Sequence, residues 1–130
     1  DVDSSGTAIS GPVTNNNVTK STTNITVNTT NATAYGSNNR CWHTGLAASA
    51  KIGVNLKAEL NPGGTVEIGT VPDGYRPPFL TYGSVYITGV TSQPGVYAQI
   101  TAAGVISISN RGTTAIPTTA NVYCSFSYAT

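Results

Sequence analysis

Residues 50–60, Ala-Lys-Ile-Gly-Val-Asn-Leu-Lys-Ala-Glu-Leu, constrain the fold more than any other stretch. Ile52, Val54, Leu56, Ala58 and Leu60 fall on one side of an extended chain, and Lys51, Asn55, Lys57 and Glu59 on the other. That alternation describes a strand with one face in a core and one in solvent. Asn61-Pro-Gly-Gly64 then reads as a turn, and Val66 and Ile68 resume the alternation as a return strand. No stretch sustains the helical period of about 3.6 residues, because Gly and Pro interrupt every longer window.

Further strands are expected over residues 79–88, 95–101, 104–109 and 121–128. The second and third of these form a hairpin across Ala102-Ala103-Gly104. In the last, Val122, Cys124, Phe126 and Tyr128 share a side, with Tyr123, Ser125 and Ser127 opposite. Short strands at this spacing predict an all-β domain, a single antiparallel β-sandwich or jelly-roll-like barrel with an extended N-terminal arm. The expected division is an arm over residues 1–37 and a β head over residues 38–130. The arm is rich in Thr, Asn and Ser; within it Ile25 and Val27 suggest a strand with a thin apolar face, and residues 1–20 read as a linker.

Charged residues make up 8% of the 130-residue chain, net charge +1, against about 25% in an ordinary globular protein. The surface must therefore be built from hydroxyls, amides and tyrosines, which suits neutral hydroxylated ligands. No basic patch is available to displace counterions, so a nucleic-acid partner is not expected. No apolar run is long enough for a spanning helix, and membrane insertion is not expected. The chain begins with Asp and contains no Met, which reads as a fragment or a processed product.

Residues 69–78, Gly-Thr-Val-Pro-Asp-Gly-Tyr-Arg-Pro-Pro, stop the return strand abruptly. Pro72-Asp73-Gly74 is a turn, and Asp73, Tyr75 and Arg76 stand on a stiff, polyproline-like arm. This run, placed after an alternating strand pair and before a Gly-rich β segment, resembles the C-terminal head domains of bacteriophage receptor-binding proteins. Those are the tail-fibre and baseplate tip proteins of phages that infect Gram-positive bacteria. The likeness spans residues 40–110.

The resemblance implies a homotrimeric head at the tip of a phage tail, attached to the rest of the tail or baseplate. Such a head would bind a saccharide or phosphopolysaccharide of the host cell wall and act outside the cell. Two other readings stay open, a purely structural trimerisation or cap module of a tail fibre and a bacterial surface adhesin domain. The four Asn-x-Thr sequons, at Asn17, Asn24, Asn28 and Asn31, then mean no more than Asn/Thr richness.

Candidate ligand residues are Trp42 and His43 of the run Arg40-Cys-Trp-His43, together with Asp73, Tyr75 and Arg76 of the proline-rich loop. An indole face stacks on the apolar side of a sugar, and Arg, His and Asp hydrogen-bond its hydroxyls. Arg76 is the natural partner of a phosphate. If Cys41 faces inward, Trp42 points out; if Trp42 shares the inward side with Leu46, the indole is core. Tyr82, Tyr86, Tyr97 and Tyr123, on non-core faces, form a second reservoir of contact.

Cys41 and Cys124 allow one intramolecular disulfide, with two separate buried thiols as the alternative. Neither a metal site nor a cofactor is expected, because His43 is the sole histidine and lies in no cluster at metal spacing. Catalysis is not expected either. A Cys41–His43 pair has no third orienting group, and Glu59 and Glu67 read as solvent-face residues of a hairpin.

Overall fold

The computed structural model describes residues 20–36, 39–90 and 94–130. Over these residues the chain is all-β and antiparallel. The strands are β1 (Lys20–Asn24), β2 (Thr26–Val27), β3 (Ala32–Ala34), β4 (Arg40–Thr44), β5 (Ala47–Leu56), β6 (Thr65–Thr70), β7 (Thr81–Thr88), β8 (Val96–Ile100), β9 (Val105–Asn110) and β10 (Asn121–Ala129). They join in the order β1-β4-β5-β10-β7-β8-β9-β6-β2, with β3 paired to β5 beside β4.

The two ends of this sheet, β1 and β2, are one stretch of chain interrupted only by Ile25. β1 pairs with β4 and β2 with β6, so residues 20–27 nearly close the sheet into a barrel. Ile25 is 5% exposed at the corner. Gly69 leaves room for it: a Cβ there would lie 3.1 Å from the Thr26 carbonyl oxygen and 2.7 Å from Ile52 Cδ1. A ladder irregularity between Glu67 and Gly69 lets β6 bend at the same place.

The stretch expected as an arm thus contributes three strands to the same sheet as the rest, and residues 1–19 lie outside those described. Ala32 and Ile25 are the inward residues that pay for inclusion of a Thr/Asn-rich segment; both are buried in the common core.

The core alternates as the sequence predicts. Ile52, Val54 and Leu56 of β5, Ile106 and Ile108 of β9, and Val122, Cys124 and Phe126 of β10 fill the interior. One detail differs: β5 stops at Leu56, and the chain bends so that Ala58 is exposed while Leu60 returns to the core. Leu60 pairs with Ile116 in an isolated bridge. The Asn110 side chain, fully buried, ties this region together. Its Nδ2 donates to the Leu60 and Thr114 carbonyls at 3.0 and 2.9 Å, and its Oδ1 accepts from Gly112 N–H at 3.0 Å.

Cys41 and Cys124 are both buried and both free, so the expected bridge is not formed. The two side chains do share the interior, but β5 runs between their strands. Neighbouring strands lie about 4.8 Å apart, which puts β4 and β10 about 10 Å from each other. A disulfide needs Cα atoms within about 7 Å. In addition, Cys41 stands opposite Ala50 while Cys124 stands opposite Ile52, one step further along the barrel. Burial pushes the Cys41 thiol up from 9.0, with Arg40 pulling it back, and pushes Cys124 up to about 12. The folded protein should therefore show no thiol titratable by an aromatic disulfide reagent near pH 8 and two once denatured. Recovery of no thiols after denaturation without reductant would mean a bridge.

Candidate binding face

The parity of β4 divides the run that concentrated a cation, an indole and an imidazole. Cys41 points inward and is fully buried, so Trp42 and Arg40 point outward. Trp42 is half-buried on the outer surface, flanked across the ladders by Thr22 and Ser49. Leu46, the residue whose company would have marked the indole as core, is 80% exposed. His43 shares the inward parity of Cys41 and lies at the end of the barrel. Its Nε2 is 3.2 Å from Thr130 Oγ1.

The proline-rich loop crosses that same end. Tyr75 N–H donates to Pro72 O at 3.2 Å, closing a turn in which Gly74 takes φ 90°. Beyond the turn Tyr75 folds back over the last inward row, formed by Ser21, His43, Ala48 and Tyr128. Its hydroxyl is hydrogen-bonded to Ser21 Oγ, and its carbonyl accepts from the Tyr128 hydroxyl. Its ring meets His43 edge-to-face, with centroids 6.3 Å apart at 80°.

Arg76 Nε donates to Val71 O at 2.8 Å, against the backbone of Gly104, where a Cβ would sit 2.7 Å from that Nε. Asp73 is exposed and accepts from Gly74 N–H at 3.1 Å, within its own turn. Of the expected ligand residues, then, the fold brings together His43 and Tyr75, as the closure of a barrel end. Trp42 stands on the outer face, Asp73 on the turn, and Arg76 is half-buried beneath the loop. The stiffness read in the loop serves to span the barrel end from β6 to β7.

A different constellation appears on the outer face. Register places Asn24, Arg40, Lys51, Ser125 and Ser84 in one row across β1, β4, β5, β10 and β7. Arg40 and Lys51 are therefore directly opposite each other, a like-charge pair that weakens a sheet on its own. Arg40 Nη2 reaches Thr22 Oγ1 at 3.3 Å. The described carboxylates lie elsewhere: Glu59 beside β7, Glu67 on β6, Asp73 on the end loop.

On one side of this row is Trp42, with the hydroxyls of Ser49 and Ser127 next to it. On the other side runs an aromatic strip. Tyr123 lies over Gly53, its Cδ1 3.1 Å from where a Cβ would be. It stacks on Tyr86 at 6.1 Å and 28°, and meets Tyr35 edge-to-face at 5.9 Å. A cleft of about 460 Å³ lies among Tyr35, Asn39, Lys51, Gly53, Tyr123 and Ser125. Burial first, then the neighbouring Tyr35 and Tyr86 phenols, raise the Tyr123 phenol above 10.0, so it stays a neutral donor at neutral pH.

Tyr82, Tyr86, Tyr97 and Tyr123 lie on non-core faces as expected, and Tyr82 and Tyr97 form a further edge-to-face pair at 5.7 Å. Tyr35 and Lys51 were missed. Tyr35 sits in the segment read as an arm, and the pairing of Lys51 with Arg40 depends on a register that no single strand reveals. No family model matches the chain, and no curated protein does either.

Tyr75→Ala should destabilise the fold by about 3 kcal/mol, since it opens the barrel end and unpairs Ser21. Trp42→Ala, on the outer face, should cost less than about 1.5 kcal/mol. Urea denaturation of both variants checks the ordering.

Tyr128 supplies a pH signature. Burial, with a smaller contribution from Cys41, pushes its phenol from 10.0 up to about 12. The fold favours the neutral form, so this contribution is complete below pH 10.0 and is lost as pH rises through about 12. Stability measured across pH 8–12 should fall above about pH 10, less steeply in Tyr128→Phe.

Proposed function

We propose that this chain is a glycan-binding head domain of the phage receptor-binding kind, and that its outer face takes a cell-wall saccharide bearing an anionic group. The observation that carries the reading is the Arg40–Lys51 pair, two cations held opposite each other between Trp42 and the Tyr35–Tyr123–Tyr86 strip. A phosphate between them would turn a repulsive cross-strand pair into two charge-assisted contacts. The rings would stack on the apolar faces of adjacent sugars, and Asn39, Ser125 and Ser49 would meet their hydroxyls. The phage assignment is supported by the proline-rich loop alone.

The reading moves the anion partner from Arg76 to Arg40 and Lys51, because Arg76 is half-buried and held by Val71 O while Arg40 and Lys51 are exposed. It keeps Trp42 as a stacking platform and leaves His43 and Tyr75 to the fold. Such a face is open and shallow, so single-site affinity is weak; display in several copies, as in the homotrimer that the resemblance implies, multiplies it.

The test is calorimetric titration with phosphate-bearing and neutral cell-wall oligosaccharides, after a glycan array has selected them. Lys51→Glu and Tyr123→Ala should each weaken binding about tenfold, a typical loss for one charge-assisted or stacking contact, with circular dichroism unchanged. Binding that survives both substitutions would refute the site. An intact fold that binds no glycan would favour the structural cap.

A further inference from the structure

β7 is paired over only part of its length on each side. β10 matches residues 84–88 of β7 with residues 121–125. β8, on the other side, meets β7 through Thr81, Tyr82 and Gly83 alone, while continuing to pair with β9 from Val96 onward. Past Gly83 the two strands part. Among the described residues no backbone group pairs with residues 84–88 on the β8 side.

A cleft of about 640 Å³ opens there. Val85, Ile87, Val96, Ile116 and Pro117 line it, and Val85, Ile87 and Val96 also pack against the core. The cleft therefore reaches the barrel interior from the side, at the end away from the Tyr75 loop. Glu59 is the one charged side chain among its lining residues.

In an antiparallel strand successive residues turn their N–H and C=O groups alternately to the two sides. Part of residues 84–88 therefore aims donors and acceptors into the cleft, directly beside an apolar floor. An edge that no described residue pairs, beside such a floor, is the ground plan of strand addition. We propose that this cleft binds an extended segment of another protein, which adds to the edge of β7. Its apolar side chains, at every second position, seat on Val85, Ile87, Val96 and Ile116, and a Lys or Arg stands beside Glu59.

Two other occupants fit less well. A second copy of β7 has already turned Val85 and Ile87 into its own barrel, so it would offer Ser84, Tyr86 and Thr88 rather than aliphatic side chains, and it would bring a second Glu59 carboxylate to the first. A small apolar molecule would cover the floor and leave the strand edge unpaired, a loss that a peptide avoids. The charge and the backbone together select a cationic strand.

The test uses the whole isotopically labelled chain and a capped heptapeptide, Lys-Val-Thr-Val-Thr-Val-Thr. Amide resonances of residues 84–88 and of Val96 and Tyr97 should shift, and exchange of the 84–88 amides should slow on binding. Glu59→Lys, at an exposed site, should weaken the peptide about fivefold, and a peptide with Glu in place of its Lys should recover that loss on the variant. Any of four results overturns the proposal. These are no shift at residues 84–88 at the highest soluble peptide concentration, equal binding of a peptide with its valines replaced by asparagine, concentration-dependent self-association mapping to the same amides, and an apolar dye in the cleft that the peptide does not displace.

Discussion

Closure at Ile25 is the constraint on which the rest of the architecture depends. One extended stretch serves β4 before that residue and β6 after it, so the outermost strands of the sheet are consecutive in sequence. An open sheet of this length would present two long polar edges to water or to other chains. Using the same stretch for both ends removes most of that edge, with little apolar side chain to spare. The closure works because Gly69 yields space at the corner and Ile25 fills it.

A barrel closed in this way has an inside, an outside and two ends, and each acquires a distinct chemistry. The inside is mostly aliphatic, with Phe126, two neutral thiols and the hydrogen-bonded Asn110 amide. One end is sealed by the Tyr75 loop, whose aromatic ring and hydroxyl satisfy the last inward row. The outside of the β1–β4–β5–β10–β7 surface carries what the interior cannot hold: Arg40, Lys51, Trp42 and the tyrosine strip. The binding chemistry we propose falls on the outer ladder, where register rather than loop conformation fixes the spacing between charge and ring.

Much of this was legible in the sequence, for a physical reason. Alternation reports which side of a strand is buried, so the β5–β6 hairpin, β7 to β10 and the outward tyrosines could be read directly. Strand order and register are non-local, and there the reading stopped. Cys124 was read on the apolar side of its strand and the facing of Cys41 was left open; nothing local shows that β5 separates them. Arg40 and Lys51 were visible as residues and invisible as a pair. Residues 20–34 looked like an arm because Thr and Asn dilute the apolar signal to Ile25, Val27 and Ala32. The loop at 69–78 carries no periodicity at all, so its stiffness could be read but not the direction in which Tyr75 turns.

The account stands or falls on whether the anion of a bound glycan sits between the two cations of the outer face. A crystal structure of the chain with a phosphate-bearing cell-wall disaccharide tests this directly. The account predicts phosphate oxygens within hydrogen-bond distance of both Arg40 and Lys51, and a sugar ring stacked on Tyr123 or Trp42. A disaccharide seated instead against Asp73, Tyr75 and Arg76 at the barrel end, with the outer face bare, would contradict it.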